Sequence, residues 1–87
     1  MFFVYVLENQ TSGRHYTGFT ADLNQRVGQH NRGLTKSTKN RGLWKLVYQE
    51  EYATRAEAIR RERFLKSGQG REQLLQLLAQ HRGGSAG

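Results

Sequence analysis

The sequence predicts an α+β fold with elements in the order β-β-α-β-α-α. Three observations carry this. Two runs rich in aromatic and β-branched residues, residues 2–7 and 14–19, are separated by a turn-forming cluster; a third such run, residues 43–52, follows a capped helical stretch; and two stretches with apolar residues at helical spacing end the chain. Eighty-seven residues make one small domain. It is expected over residues 1–82, with residues 83–87, GGSAG, as a flexible tail.

Residues 2–7, FFVYVL, are apolar on both parities, as expected of a central strand covered on both faces, with Tyr5 in its middle. Residues 9–13, NQTSG, form turns readily, and residues 14–19, RHYTGF, return as the second strand of a hairpin centred on Tyr16. Gly18 removes a side chain just past Tyr16, which in a strand suggests a bulge, a close approach by a ligand or another backbone, or a simple bend.

The helix that follows, residues 22–33, can be capped by Asp22 with Gln25 as the other half of a capping box, and Gly33 supplies a left-handed stop. Leu23, Val27 and Leu34 define its apolar stripe, yet Arg26 and His30, four apart, fall on or beside that stripe. A cation beside an imidazole is a poor way to build a core, so an anionic partner is expected there. Residues 34–42 show no apolar period and carry Lys36, Lys39 and Arg41, either as a solvated connection or as a phosphate-tracking loop; with Arg32 and Lys45 they make the expected nucleic-acid surface.

Residues 43–52, LWKLVYQEEY, predict the third strand. Thr54 and Glu57 form a T-x-x-E capping box, so Glu57 serves the start of a helix over residues 55–66. Within it Ala58 and Leu65 bracket Glu62 on the apolar stripe, where a lone carboxylate is costly. Glu62 is therefore either a functional group or half of an ion pair, with Arg26 as a partner within the chain. Residues 67–70, SGQG, end this helix, and the leucines of residues 71–81 make a packing helix. His15 and His81 have no partner at metal-ligand spacing.

A net charge of +7 and a pI near 10.4 draw polyanions such as nucleic acid or an anionic membrane surface, and charge alone does not choose between them. The absence of cysteine excludes a disulfide-linked partner and a thiolate zinc site, and it suits a cytoplasmic protein. The longest apolar run falls far short of the roughly 20 residues a membrane span needs.

Taken together, F-V-Y at Phe3–Tyr5, Y-T-G at Tyr16–Gly18, R-x-x-x-H at Arg26–His30 and a glutamate, Glu62, on a later helix resemble the GIY-YIG nuclease domain. The likeness covers about residues 2 to 80 and is nearest to small single-domain bacterial members and to the nuclease half of junction resolvases. Phe3 stands where the family motif begins with glycine, and Val4 and Thr17 replace its isoleucines. The asparagine that some members carry after the glutamate has no counterpart between Glu62 and His81, where Gln69, Gln73, Gln76 and Gln80 stand instead.

The resemblance implies a three-stranded antiparallel sheet flanked by helices, with the site on one sheet face. It implies that Glu62 holds one divalent cation, Mg²⁺ or Mn²⁺, and that Arg26 contacts the scissile phosphate. His30 would accept or relay a proton, and Tyr16 would position water or phosphate. Tyr5 would deprotonate the attacking water, with the cation, Arg26 and His30 favouring its phenolate. The implied reaction is metal-assisted hydrolysis of a DNA phosphodiester, on single-stranded or branched substrates, in repair or recombination. Two rivals stand beside it: a nucleic-acid-binding module of the same fold with little turnover, and a structural domain in which Arg26 and Glu62 are a buried pair.

Overall fold

β1 (Phe2–Asn9) lies between β2 (His15–Thr20) and β3 (Trp44–Tyr52), antiparallel to both, in a sheet ordered β2-β1-β3. The computed structural model describes residues 1–32 and 43–86, with side chains described through residue 80. Because β1 is central, both of its faces are covered: Val4, Tyr5, Val6 and Leu7 have no exposed surface. The hairpin turn is built by Asn9, whose Oδ1 accepts from the backbone amides of Thr11 at 2.9 Å and Ser12 at 2.8 Å. Gly13 completes it at φ +76°, a conformation that favours glycine.

Alternation along β1 divides the core. Val4 and Val6 pack with Ala58 and Leu65 of α2 (Arg55–Lys66) and with Leu74 and Leu78 of α3 (Gly68–Ala86). Tyr5 and Leu7 point the other way, to Trp44, Leu46 and Tyr16 and to Leu23 and Val27 of α1 (Leu23–Asn31). The sheet thus carries α2 and α3 on one face and α1 on the other, in the order β-β-α-β-α-α.

The caps are those the sequence signals. Asp22 Oδ1 accepts from the Gln25 amide at 3.1 Å, and Thr54 Oγ1 accepts from the Glu57 amide at 3.2 Å while donating to Glu57 Oε1 at 2.9 Å. Gly33 lies outside the described residues. Two boundaries differ from expectation. Ser67 caps the end of α2 as expected, but the packing helix starts before residue 71: α3 begins at Gly68, because Gly70 lets the new helix close onto the end of α2, where an added Cβ would lie 1.6 Å from the Phe64 carbonyl oxygen. α3 also runs to Ala86, through most of the expected tail, since a nucleated helix gains one hydrogen bond for each further residue fixed.

A polar cluster not apparent in the sequence ties β3 to α2. Arg61 grips Glu50 with two hydrogen bonds, Nε to Oε1 at 2.9 Å and Nη2 to Oε2 at 3.1 Å, while the hydroxyls of Tyr48 and Tyr52 donate to the same carboxylate at 2.5 and 2.6 Å. Burial pushes the Glu50 carboxyl up, but these donors together outweigh it and hold it below its usual value. Burial, then the bond to Glu50, pushes both phenols up to about 12. The cluster is structural scaffolding for the helix that carries Glu62.

Candidate active site

Four of the five expected catalytic side chains meet on the α1 face of the sheet. Tyr5 and Leu7 sit opposite Gly18 and Tyr16 in the β1–β2 register, so the two tyrosines and the glycine share that face. The first turns of α1 lay Leu23 and Val27 on the sheet, which brings Arg26 and His30 inward beside them. Asn31 then fastens the helix end to β3: its Nδ2 donates to the Trp44 carbonyl at 3.1 Å and its Oδ1 accepts from the Trp44 amide at 2.8 Å. The sequence offered no signal for this clamp, since one asparagine near a helix end has many uses.

At the centre is the Tyr5 hydroxyl. It lies 3.0 Å from His30 Nε2 and accepts from Arg26 Nε at 3.3 Å. With Arg26 donating, the phenolic proton can be given to His30 when Nε2 is bare and the imidazole proton sits on Nδ1. The electrostatics agree: burial and then the Arg26 charge lower the His30 pKa to about 4, so the ring is neutral at pH 7 and able to accept. Arg26 Nη1 donates to Gln29 Oε1 at 3.0 Å, a partner the sequence analysis did not single out. The tyrosine rings lie 6.3 Å apart, and Tyr16 is 4.8 Å from the His30 ring.

Gly18 serves this cluster by absence of a side chain. The β1–β2 register runs through Gly18 without a bulge; the sheet's register shift lies instead between β1 and β3, where Val47 is the extra residue opposite Val6/Leu7. A Cβ at Gly18 would fall 2.6 Å from the Tyr5 hydroxyl oxygen, so the glycine gives the phenol room to cross toward α1.

Among the protein's own groups, burial raises the Tyr5 pKa most; Arg26 favours the phenolate by its hydrogen bond and its charge but offsets only part, and the charges of Tyr16 and Glu62 push the same way as burial. Glu62 is the fifth expected residue. It does not pair with Arg26, yet its charge reaches the Tyr5 hydroxyl although the helix that carries it packs on the opposite sheet face. It arises from α2, on the Val4–Val6 side, and its carboxylate meets Lys66 Nζ at 3.1 Å one helical turn on. Lys66 in turn lies 5.8 Å from the centre of the Tyr16 ring, so the end of α2 reaches the site around the free edge of β2. A lysine four residues after a glutamate was legible in the sequence, but its place against Tyr16 was not.

Among the described residues, no three His, Asp or Glu side chains come together as a metal cage. Glu62 alone, with a side chain 15% exposed, suits a hard cation that keeps most of its waters and takes phosphate oxygens as further ligands. The donor set therefore fits Mg²⁺ or Mn²⁺ and not a soft metal. Of the expected nucleic-acid surface, Arg32 and Lys45 are exposed, with Arg32 Nε turned back onto the Gly28 carbonyl at 3.3 Å; Lys36, Lys39 and Arg41 lie outside the described residues.

Comparison with known proteins converges on the same motifs. Residues 1–75 match the family model of the GIY-YIG catalytic domain. The UPF0213 proteins of Staphylococcus aureus strains Mu3 and N315 are each 47% identical over 66 residues, spanning 75% of this chain and 79% of theirs. The solution NMR structure of the UPF0213 protein from Bacillus halodurans superposes with a TM-score of 0.54 at 37% identity, over 88% of this chain and 85% of that one. With residues 1–75 matching the family model, Gly18 of Y-T-G opposite Tyr5 in the hairpin and R-x-x-x-H on the helix beside it, the chain belongs to the GIY-YIG family of nuclease domains.

Proposed function

We propose that this protein is a divalent-metal-dependent endonuclease that hydrolyses phosphodiester bonds in DNA, with single-stranded or branched DNA as substrate and a cytoplasmic role in repair or recombination. The observation that carries the proposal is the Tyr5 hydroxyl held between Arg26 Nε and His30 Nε2. That arrangement is a short proton path. As water attacks phosphorus it gives a proton to the Tyr5 oxygen while Tyr5 passes its own proton to His30 Nε2, so no free phenolate has to accumulate against the raised pKa. His30, neutral beforehand, ends protonated.

Arg26 spends one N–H on Tyr5 and one on Gln29, which leaves guanidinium donors for a phosphate oxygen and for the charge that grows there. Tyr16, at the lip beside His30, orients water or phosphate by its hydroxyl. Glu62 would hold the cation, and a bound hard cation would polarise a phosphate oxygen and place positive charge near Tyr5. Such a cation would take the place of Lys66 on Glu62.

One observation favours a second reading. Glu62 is already engaged by Lys66, as it would be in a nucleic-acid-binding module with little turnover. Incubating labelled single-stranded, duplex, flap and junction DNAs with Mg²⁺, with Mn²⁺ and with chelator separates the two. Cleavage that needs the cation, and that falls about 10²- to 10⁴-fold in Tyr5→Phe with DNA affinity retained, is the expected result. No cleavage of any substrate transfers the function to binding alone.

A further inference from the structure

Beyond the cluster around Tyr5, a groove of about 280 Å³ opens between the edge of β2 and the α2–α3 junction, with Tyr16, Thr17, Lys66 and Arg71 among its walls and Leu65 and Leu74 at its base. It continues past His15 along α3 into a second hollow of about 360 Å³. Tyr16 belongs to both the groove and the site: its ring is 4.8 Å from His30 on one side and 5.8 Å from the Lys66 ammonium on the other. Whatever enters the groove at this end lies one side chain from the reacting hydroxyl.

Its charge is positive and built in. The Gly70 contact closes α3 onto the end of α2, and this fixes Arg71 within a few residues of Lys66 on the same wall. α3 has no acidic residue in its first turn, so the positive end of its dipole adds to the two side chains. Carboxylates neutralise part of the groove. Glu8 pairs with His15 at 3.0 Å toward the far end, and Glu62 pairs with Lys66. Arg71 makes no ion pair among the described residues, and Lys66 is half exposed and would lose its partner if Glu62 took a cation. The proposed catalytic mechanism makes no use of this charge.

We propose that the groove is a second phosphate site for a nucleic-acid strand, in which Arg71 and Lys66 hold the phosphodiester next to the one being cut. Its position beside the scissile phosphate rests on the nuclease reading; its affinity for a strand does not. Phosphate contacts of this kind set register without reading sequence. The bound strand runs from Arg26 past Tyr16 and over the β2 edge.

The test is fluorescence anisotropy of a labelled single-stranded oligonucleotide in chelator, where nothing is cut. Arg71→Gln and the Lys66→Gln/Arg71→Gln pair are compared with Arg60→Gln, which removes an exposed α2 cation that does not line the groove. Arg71→Gln is expected to weaken binding about 10-fold and to make the plot of log K against log salt shallower by about 0.7. The double variant should lose at least as much, and Arg71→Lys should recover most of it, with all melting temperatures near that of the parent. Parental affinity and slope in the double variant overturn the proposal. So does an equal loss in Arg60→Gln, which would reduce the effect to net charge, or a parent that binds no oligonucleotide at low salt. A groove effect without cleavage of any DNA would sink the nuclease reading and leave the groove standing; cleavage without a groove effect does the reverse.

Discussion

Gly18→Ala adds one methyl group and should cut the proposed DNA cleavage sharply without unfolding the protein. The new Cβ would sit 2.6 Å from the Tyr5 hydroxyl oxygen and 2.8 Å from Cζ, where an ordinary contact begins near 3.4 Å, so the phenol must retreat by about 0.8 Å. Tyr5 has no exposed surface, and its ring is packed against Leu7 and Trp44, which leaves little room. A displacement of that size disturbs both the 3.0 Å contact with His30 and the 3.3 Å contact with Arg26. Overpacking of this kind costs about 1–3 kcal/mol of stability, whereas misplacing a reacting group by nearly 1 Å costs about 10²-fold in rate. Cleavage of a labelled substrate in Mg²⁺ or Mn²⁺, with thermal melting on the same samples, reads both effects. Combining Gly18→Ala with Tyr5→Phe should add little further loss of rate, because both act through one hydroxyl. A folded Gly18→Ala protein that cuts at the parental rate would show that the position of the Tyr5 hydroxyl is irrelevant to the chemistry.

Further outcomes follow from the charged groups. Glu62→Gln removes a helix-surface pair with a half-exposed lysine, so in chelator it should shift stability by no more than about 0.5 kcal/mol; cation should raise the melting temperature of the parent and not of the variant, and a persisting rise would remove Glu62 as the ligand. His30 has its pKa lowered from 6.5 to about 4, so the unfolded chain binds the proton more tightly between those values. Stability should therefore fall as pH drops from about 6.5 to about 4, by on the order of 3 kcal/mol, and the fall should shrink in His30→Gln. Glu50, held below its usual value, adds a further loss as pH falls through its folded pKa, and a melting temperature flat across this range would contradict both assignments. Arg61→Ala leaves the Glu50 carboxylate with its two tyrosines but no cation. It should cost about 2–3 kcal/mol in denaturant titration, somewhat less than a fully buried pair because both side chains keep some solvent, and cleavage by the folded protein should be unchanged.

The sequence by itself determined the elements and their order, because the signals involved are local. Aromatic runs of strand length, the NQTSG turn, and caps at Asp22 and Thr54 each act within a few residues. It also determined which residues to suspect, since a carboxylate, an arginine and a histidine on otherwise apolar stripes are costly unless something uses them. What only the tertiary structure decided is how those residues meet. The partner of Glu62 proved to be Lys66 and not Arg26, because α2 packs on the sheet face opposite α1 and a turn of helix keeps the nearer cation closer. The direction of the Tyr5 shift depended on how deeply β1 is covered from both sides, which no spacing encodes. Gly18 was conspicuous in the chain, yet its purpose, to leave space for a hydroxyl on the neighbouring strand, exists only once the β1–β2 register sets the two residues side by side. The groove along the β2 edge is likewise a product of long-range closure: Arg71 and Lys66 are near neighbours in sequence, but Tyr16 joins them only when the hairpin and the helix junction are packed together.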